Sequence, residues 1–156
     1  MIHRQVFGAH GTDMGSLFDE MNASLDAYEY ALREGPGTLE VLAVLYGAAT
    51  PAAISGAVWR TYRLGARLHA DAAQNPFASR IAQLRTRGAR FVVCSNSLRG
   101  LAIAVANGVP EVQEPVDLVL QRMRASLVHG VTIVPAGVQA INAAQEDGYT
   151  YLPASL

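Results

Sequence analysis

The sequence predicts one α/β domain built on five strands, with a mainly parallel sheet and helices on both of its faces. Three observations predict it. Short apolar runs alternate along the whole chain with longer segments of helical periodicity. The apolar runs are nearly continuous, which is typical of strands covered on both sides in a parallel sheet. No repeat or long linker divides the chain, so residues 1–156 are predicted to form a single domain.

Five segments have the composition of strands, and each is bounded by glycine or polar residues. The clearest is Ala89–Cys94, which is β-branched and aromatic, follows Gly88 and precedes the polar run Ser95–Ser97. In chain order, the predicted strands are His3–Gly8, Leu39–Tyr46, Ala89–Cys94, Val131–Val134 and Tyr149–Leu152.

Six segments between these strands are predicted to be helices, and in the first of them the apolar residues fall in steps of three and four. Thr12 or Asp13 is expected to cap the first helix, and Ser95–Ser97 the fourth. The pair Asn75-Pro76 predicts a turn. In chain order, the predicted helices are Ser16–Leu32, Pro51–Leu68, Phe77–Arg87, Leu98–Ala106, Val116–Val128 and Val138–Glu146.

The composition excludes several classes of protein. Hydrophobic residues make up 51% of the chain and charged residues only 16%, so the chain is expected to fold and to bury further surface by self-association. The net charge of −1 and the absence of a basic run argue against a nucleic-acid partner. No membrane span or signal peptide is visible. A single cysteine leaves the compartment open: cytoplasmic, or periplasmic with the leader removed.

Candidate site residues lie where the predicted strands end, because ligands of open α/β sheets bind beyond the carboxyl ends of the strands. Cys94 has the most distinctive chemistry among them. Amides at the start of the following helix are expected to lower its pKa and favour the nucleophilic thiolate. The alternative interpretation is that Cys94 packs as a small, buried hydrophobic side chain. The strand-end residues are His10, Tyr46-Gly47, Cys94-Ser95-Asn96 and Pro135-Ala136-Gly137.

Other motifs predict little chemistry. The histidines show no metal-ligand spacing, and no nucleotide-binding or nucleophile-elbow motif is present, so no metal or cofactor is predicted. Trp59 could line a pocket, although core or interface packing explains it better. Arg60, Arg63 and Arg67 fall on one helical face, which is typical of a solvated surface.

A strand ends in cysteine at residues 88–98, a second strand ends in Pro-Ala-Gly-Val at residues 131–138, and a helix leads into Gly-Tyr-x-Tyr at residues 145–151. Together these three segments resemble the DsrE/DsrF-like family. The first two strands are similar as well. The resemblance implies a three-layer α/β/α fold with a five-stranded, mainly parallel sheet, commonly assembled as homotrimers or hexamers. Some members are sulfur-relay proteins in which a cysteine carries a persulfide, and Cys94 lies at that cysteine's position.

The segment from Trp59 to Pro76 is longer than in the small sulfur-relay subunits and resembles an often exported subgroup. The leading hypothesis is a homo-oligomer in which Cys94 carries persulfide sulfur, received from or passed to a partner protein, or senses oxidants. One alternative is a non-enzymatic assembly protein with Cys94 as packing. Another is a small-ligand pocket lined by His10, Tyr46, Trp59 and Pro135.

Overall fold

A five-stranded sheet forms the centre of the molecule. The computed structural model describes residues 1–154, so the last two residues of the predicted domain, 155 and 156, lie outside the described residues. The sheet order is β4-β3-β2-β1-β5, and every neighbouring pair is parallel. The strands are β1 (His3–Ala9), β2 (Leu39–Leu45), β3 (Arg90–Cys94), β4 (Thr132–Val134) and β5 (Thr150–Pro153).

Helices cover both faces of the sheet, as the sequence predicts, although very unequally. The last helix packs on one face and the others contribute to the main core on the opposite face. The α-helices are α1 (Met14–Asp26), α2 (Ala57–Thr61), α3 (Leu64–Arg67), α4 (Ala78–Thr86), α5 (Ser95–Gly108), α6 (Val116–Ala125) and α7 (Gly137–Glu146). None of the helices within residues 1–154 is long and apolar enough to cross a bilayer.

The connections explain this unequal division. From β1 to β4 each strand is added beside the previous one, and the helices of these crossovers lie on the main face. The last connection runs from β4 at one edge to β5 at the other, so a right-handed crossover must place α7 on the opposite face. There α7 buries Ile141 and Ala144 against Val6 and Val44. The fold class is therefore α/β with three layers.

The predicted helix Pro51–Leu68 is wrong. The structure has a 3₁₀ helix at Gly47–Ala53 and then only the short helices α2 and α3. The buried Asn75 side-chain amide donates hydrogen bonds to the carbonyls of Ala52 and Ile54, at 2.8 and 2.9 Å. Those carbonyls therefore accept no helical hydrogen bond. Gly56, with φ of +72°, also stands in a conformation that no α-helix accommodates.

Other boundaries differ less. Asp13 caps α1, its carboxylate accepting from the Ser16 N–H at 3.0 Å, as predicted. The α-helix itself ends at Asp26 and continues as a π-helical turn, Ala27–Ala31, instead of running to Leu32. The helices predicted around α4, α6 and α7 are present with shifted ends.

Candidate functional site

The carboxyl ends of the strands meet along one edge of the sheet, which we call the carboxyl edge. Because all five strands are parallel, the residues that follow them converge there. His10 follows β1, Tyr46 and Gly47 follow β2, Cys94 closes β3, and Pro135 follows β4. The strand-end residues predicted from the sequence therefore share one edge.

Cys94 is both the last residue of β3 and the N-cap of α5. Its extended backbone, with φ of −72° and ψ of 122°, is the usual conformation of a capping residue, and its Sγ accepts from the Ser97 N–H at 3.3 Å. The prediction that Ser95–Ser97 cap a helix beginning at Leu98 is wrong. The helix starts at Ser95 because the sulfur of Cys94 takes the place of a capping oxygen.

A second helix also points its first amide at this sulfur. The backbone N–H groups of Gly137, at the start of α7, and of Asn96, in the first turn of α5, donate to Sγ together with the hydroxyl and amide of Ser97. The positive ends of two helix dipoles thus meet at one thiol. Burial raises the pKa of Cys94, but these hydrogen bonds outweigh it and hold the pKa below its ordinary value.

The close approach of α7 depends on the missing side chain of Gly137. A Cβ at this position would lie 2.9 Å from Cβ and 3.0 Å from Cγ of Tyr46. The Tyr46 side chain therefore packs directly over the first turn of α7, and partial burial raises its pKa. Gly137 is predicted from the sequence as a binding residue, and the structure shows the steric reason why glycine stands there.

The loops after β1 and β2 are bonded to each other. The Tyr46 N–H donates to the Ala9 carbonyl at 3.0 Å, and the Ala48 N–H donates to the His10 carbonyl at 3.2 Å. The exposed His10 ring lies on Tyr46, with 5.4 Å between ring centroids. Gly47 has a φ of +55°, which favours glycine. His10, Tyr46 and Gly47 form one unit beside Gly137.

A cleft of ≈ 450 Å³ opens next to Ser97. The Ser97 hydroxyl accepts from the Gly47 N–H at 2.9 Å and so connects the cleft to the loop after β2. Most of the lining side chains are small, which leaves room beside the first turns of α5. The lining residues are Gly47, Ala48, Pro51, Arg67, Ser97, Gly100, Leu101 and Ala104. Gly100 and Ala104 were not predicted as part of this cleft, although their spacing along one helix with Ser97 is a usable signal.

Of the remaining predicted residues, Ser95, Asn96 and Pro135 lie at the carboxyl edge and Trp59 does not. The Ser95 hydroxyl accepts from Nη2 of Arg124 at 3.2 Å, and the exposed Asn96 contributes its backbone N–H to the sulfur. Pro135 is exposed in the loop before α7. Trp59 instead belongs to the main core, where it is 0% exposed and its indole N–H donates to the Ala72 carbonyl at 3.1 Å. Within residues 1–154, no three His, Cys, Asp or Glu side chains are grouped to hold a metal ion.

These features define a parallel α/β protein with one cysteine held between two helix N-termini at the carboxyl edge. The model of the DsrE/DsrF-like family matches residues 5–154, and the chain belongs to that family. A solved structure of a protein of unknown function from Methanobacterium thermoautotrophicum is similar, with a TM-score of 0.58 and 19% identity over 97% of this chain and 98% of that chain. This likeness shows the fold alone. No curated protein matches the chain significantly.

Proposed function

We propose that the chain carries sulfur on Cys94 as a persulfide, Cys94–S–S⁻. The observation that carries the proposal is the position of Sγ as the cap of α5, where it accepts from the Ser97 N–H at 3.3 Å, with the Ser97 hydroxyl and the amides of Gly137 and Asn96 as further donors. Donors directed at one atom stabilise negative charge there more than they stabilise a neutral thiol. They favour the thiolate that begins sulfur transfer, and the positive end of the α5 dipole also favours negative charge on the outer sulfur of a persulfide bound there.

Sulfur transfer from a donor persulfide to Cys94 needs no added oxidant, because the outer sulfur keeps its oxidation state. The Cys94 thiolate attacks the outer sulfur of a donor persulfide, R–S–S⁻; the donor S–S bond breaks, a new S–S bond forms on Cys94, and R–S⁻ leaves. Delivery is the reverse step towards the thiolate of an acceptor. With one cysteine in the chain, no internal disulfide can form, so sulfur leaves Cys94 only to another molecule.

The proposal is tested by intact mass after incubation with a polysulfide donor. We expect one added sulfur atom per chain, removed by a reductant and absent from Cys94→Ala. Cys94→Ser is the matched control, because its hydroxyl keeps the helix cap and cannot hold the persulfide. If wild-type chain takes up no sulfur while a small thiol in the same solution does, sulfur carriage is rejected.

One observation favours a second function for Cys94, that of a structural cap. Only 5% of Cys94 is exposed, and its Sγ already satisfies the Ser97 N–H. The pH dependence of alkylation separates the two functions: a sulfur carrier, or an oxidant sensor that uses the same thiolate, reacts with a midpoint below about 8.5, whereas an inert buried cap reacts slowly at all pH values.

We further propose that the chain forms a homotrimer or hexamer and exchanges sulfur with a partner protein. Large apolar side chains support self-association where they reach the surface: Ile133 on the edge strand β4 and Ile103 on α5 are 39% and 42% exposed. Light scattering over a range of concentrations tests this part. A strict monomer at all concentrations would contradict it.

A further inference from the structure

Three arginines surround the first turns of α5, and we call them the arginine rim: Arg67, Arg99 and Arg124. Arg67 lines the ≈ 450 Å³ cleft beside Ser97. Arg99 and Arg124 line a second cleft, of ≈ 400 Å³, together with Ser95 and Asn96. All three arginines are exposed. The rim therefore lies on both sides of the turn that holds Cys94.

The charge of this rim is only partly neutralised. Asp117 lies 3.5 Å from Arg99, Arg124 donates to the uncharged Ser95 hydroxyl, and within residues 1–154 no carboxylate pairs with Arg67. The positive ends of α5 and α7 add partial charge of the same sign. The whole chain has a net charge of −1, so this concentration of positive charge runs against its overall balance.

An exposed apolar side chain follows the α7 amide that faces Cys94. Val138 is 66% exposed, and it directly follows Gly137, whose N–H donates to the Cys94 sulfur. Exposed apolar and positively charged groups around one buried thiol give this edge the composition of a protein-binding surface, with a desolvated centre and a polar surround.

We propose that the arginine rim and Val138 form the docking surface for a partner protein that presents an acidic segment. The inference rests on the proposed function in one respect: the docked segment is the one that brings the partner's thiol to Cys94. Charge complementarity is the argument, because carboxylates on the partner would find three guanidinium groups and two helix N-termini at the mouth of the site. Such complementarity raises association rates and selects among partners.

The test measures binding separately from chemistry. Three synthetic peptides share one sequence around a central serine, flanked by Asp and Glu, by Gln, or by Lys, and each carries an uncharged dye. Fluorescence anisotropy with the whole chain should show about tenfold tighter binding of the acidic peptide than of the Gln peptide, a difference of about 1.4 kcal/mol. The preference should shrink as ionic strength rises through about 0.1 M, where the screening length is about 10 Å.

Variants locate the surface. Arg67→Gln/Arg99→Gln/Arg124→Gln should remove the preference, and each single variant should weaken it, which keeps the test valid if the triple variant is unstable. Arg33→Gln is the matched control, because Arg33 is exposed and precedes β2, at the opposite end of the sheet. The proposal is overturned if the Gln and acidic peptides bind equally, or if the triple variant keeps the preference.

A parallel reaction distinguishes this failure from failure of the proposed function. The same peptides with cysteine in place of the central serine, activated as mixed disulfides, react with the Cys94 thiol. Arginine-dependent binding of the acidic peptide by a chain that takes up no sulfur would leave the docking surface intact and reject sulfur carriage. Sulfur uptake by a chain that binds the three peptides equally would support sulfur carriage and reject the docking surface. If the triple variant instead dissociates an oligomer, the occupant is a second copy and the partner proposal is overturned.

Discussion

The two ends of the sheet differ in their balance of hydrogen-bond donors and acceptors. At the carboxyl edge, donors from two helices converge on one sulfur, and three arginines stand around it. At the amino end, Arg90 donates to the Tyr149 hydroxyl at 2.6 Å, which donates to Glu40 at 3.0 Å; Arg4 also binds Glu40, at 3.2 Å. One end has donors in excess of acceptors, whereas the other pairs its donors with an acceptor inside the chain.

The difference separates a structural network from a candidate reactive one. The Arg4–Glu40–Tyr149–Arg90 network, which we call the amino-end network, joins β1, β2, β3 and the start of β5 and finds its partners within the sheet. The donors around Cys94 are best matched when the sulfur is charged, so they favour a chemical state as well as a fold. Substitutions at the two ends should therefore separate stability from thiol reactivity.

Gly137→Ala should have the largest effect, because it disturbs the carboxyl edge sterically. The added methyl would meet the root of the Tyr46 side chain, so α7 must shift, at a cost of about 1–3 kcal/mol in unfolding free energy. The shift withdraws an N–H from Sγ, which raises the pKa of Cys94. The free energy of unfolding, measured with denaturant, and the rate of Cys94 alkylation by iodoacetamide at pH 7 should both decrease.

Gly100→Ala is the matched control for that substitution. Gly100 lies in α5 and lines the cleft beside Ser97, but a Cβ there meets no atom within 4 Å. We expect about 0.5–1 kcal/mol of stabilisation and an unchanged alkylation rate. If Gly137→Ala loses stability and yet reacts like wild type, the α7 amide does not activate the thiol.

Tyr149→Phe should break the amino-end network and leave the thiol unaffected. It removes one hydrogen bond to Glu40 and one from Arg90, both charged, at a cost of about 1–2 kcal/mol. Tyr151→Phe serves as control, since Tyr151 is on β5 and 37% exposed. Thermal unfolding measures the loss. A changed alkylation rate in Tyr149→Phe would show that the two ends are coupled.

Ser97→Ala should lower the free energy of unfolding less than Tyr149→Phe does, and it should clearly slow the alkylation of Cys94. It loses the bond from the Gly47 N–H, worth about 0.5–1 kcal/mol, and the hydroxyl that donates to Sγ. The hydroxyl helps to lower the pKa of Cys94, so its loss moves the alkylation profile to higher pH and slows the reaction at pH 7. Reaction rates between about pH 6 and 10 check this around the free-thiol value of about 8.5. An unshifted profile would mean that the backbone amides alone set the pKa.

Glu40→Gln should show the smallest effect, visible as a dependence on pH. The Tyr149 hydroxyl, and then Arg4, lower the pKa of Glu40 in the folded chain. A carboxyl with a depressed folded pKa stabilises above its unfolded value of about 4.3 and loses that contribution as the pH falls through the folded pKa. The stability difference between wild type and Glu40→Gln, present at pH 7, should therefore vanish in acid.

Much of this arrangement could be predicted from the sequence. Strand composition located all five strands, and the rule that ligands bind beyond parallel strand ends placed His10, Tyr46, Gly47 and Cys94 on one edge. These predictions succeeded because they depend on local composition and on strand direction. The parallel direction itself follows from the alternation of strands and helices.

Other features depend on contacts distant in sequence. The approach of Gly137 to Cys94 requires β4 to lie beside β3, which no local pattern states. The segment Pro51–Leu68 has a helical composition. A long helix does not form there because the distant Asn75 side chain donates to two of its carbonyls, those of Ala52 and Ile54. Cys94 as a helix cap was missed because serine and asparagine, the usual caps, directly follow it.

The position of α7 in the chain has a consequence for synthesis. Gly137 lies 43 residues after Cys94, in the crossover to the last strand of the sheet, so the ribosome makes the thiol well before the amide that completes its surroundings. Because chains emerge from the N-terminus, a nascent chain that ends before residue 137 has only the α5 donors at Cys94. The cysteine thus acquires its full set of donors only when the C-terminal crossover closes over the sheet.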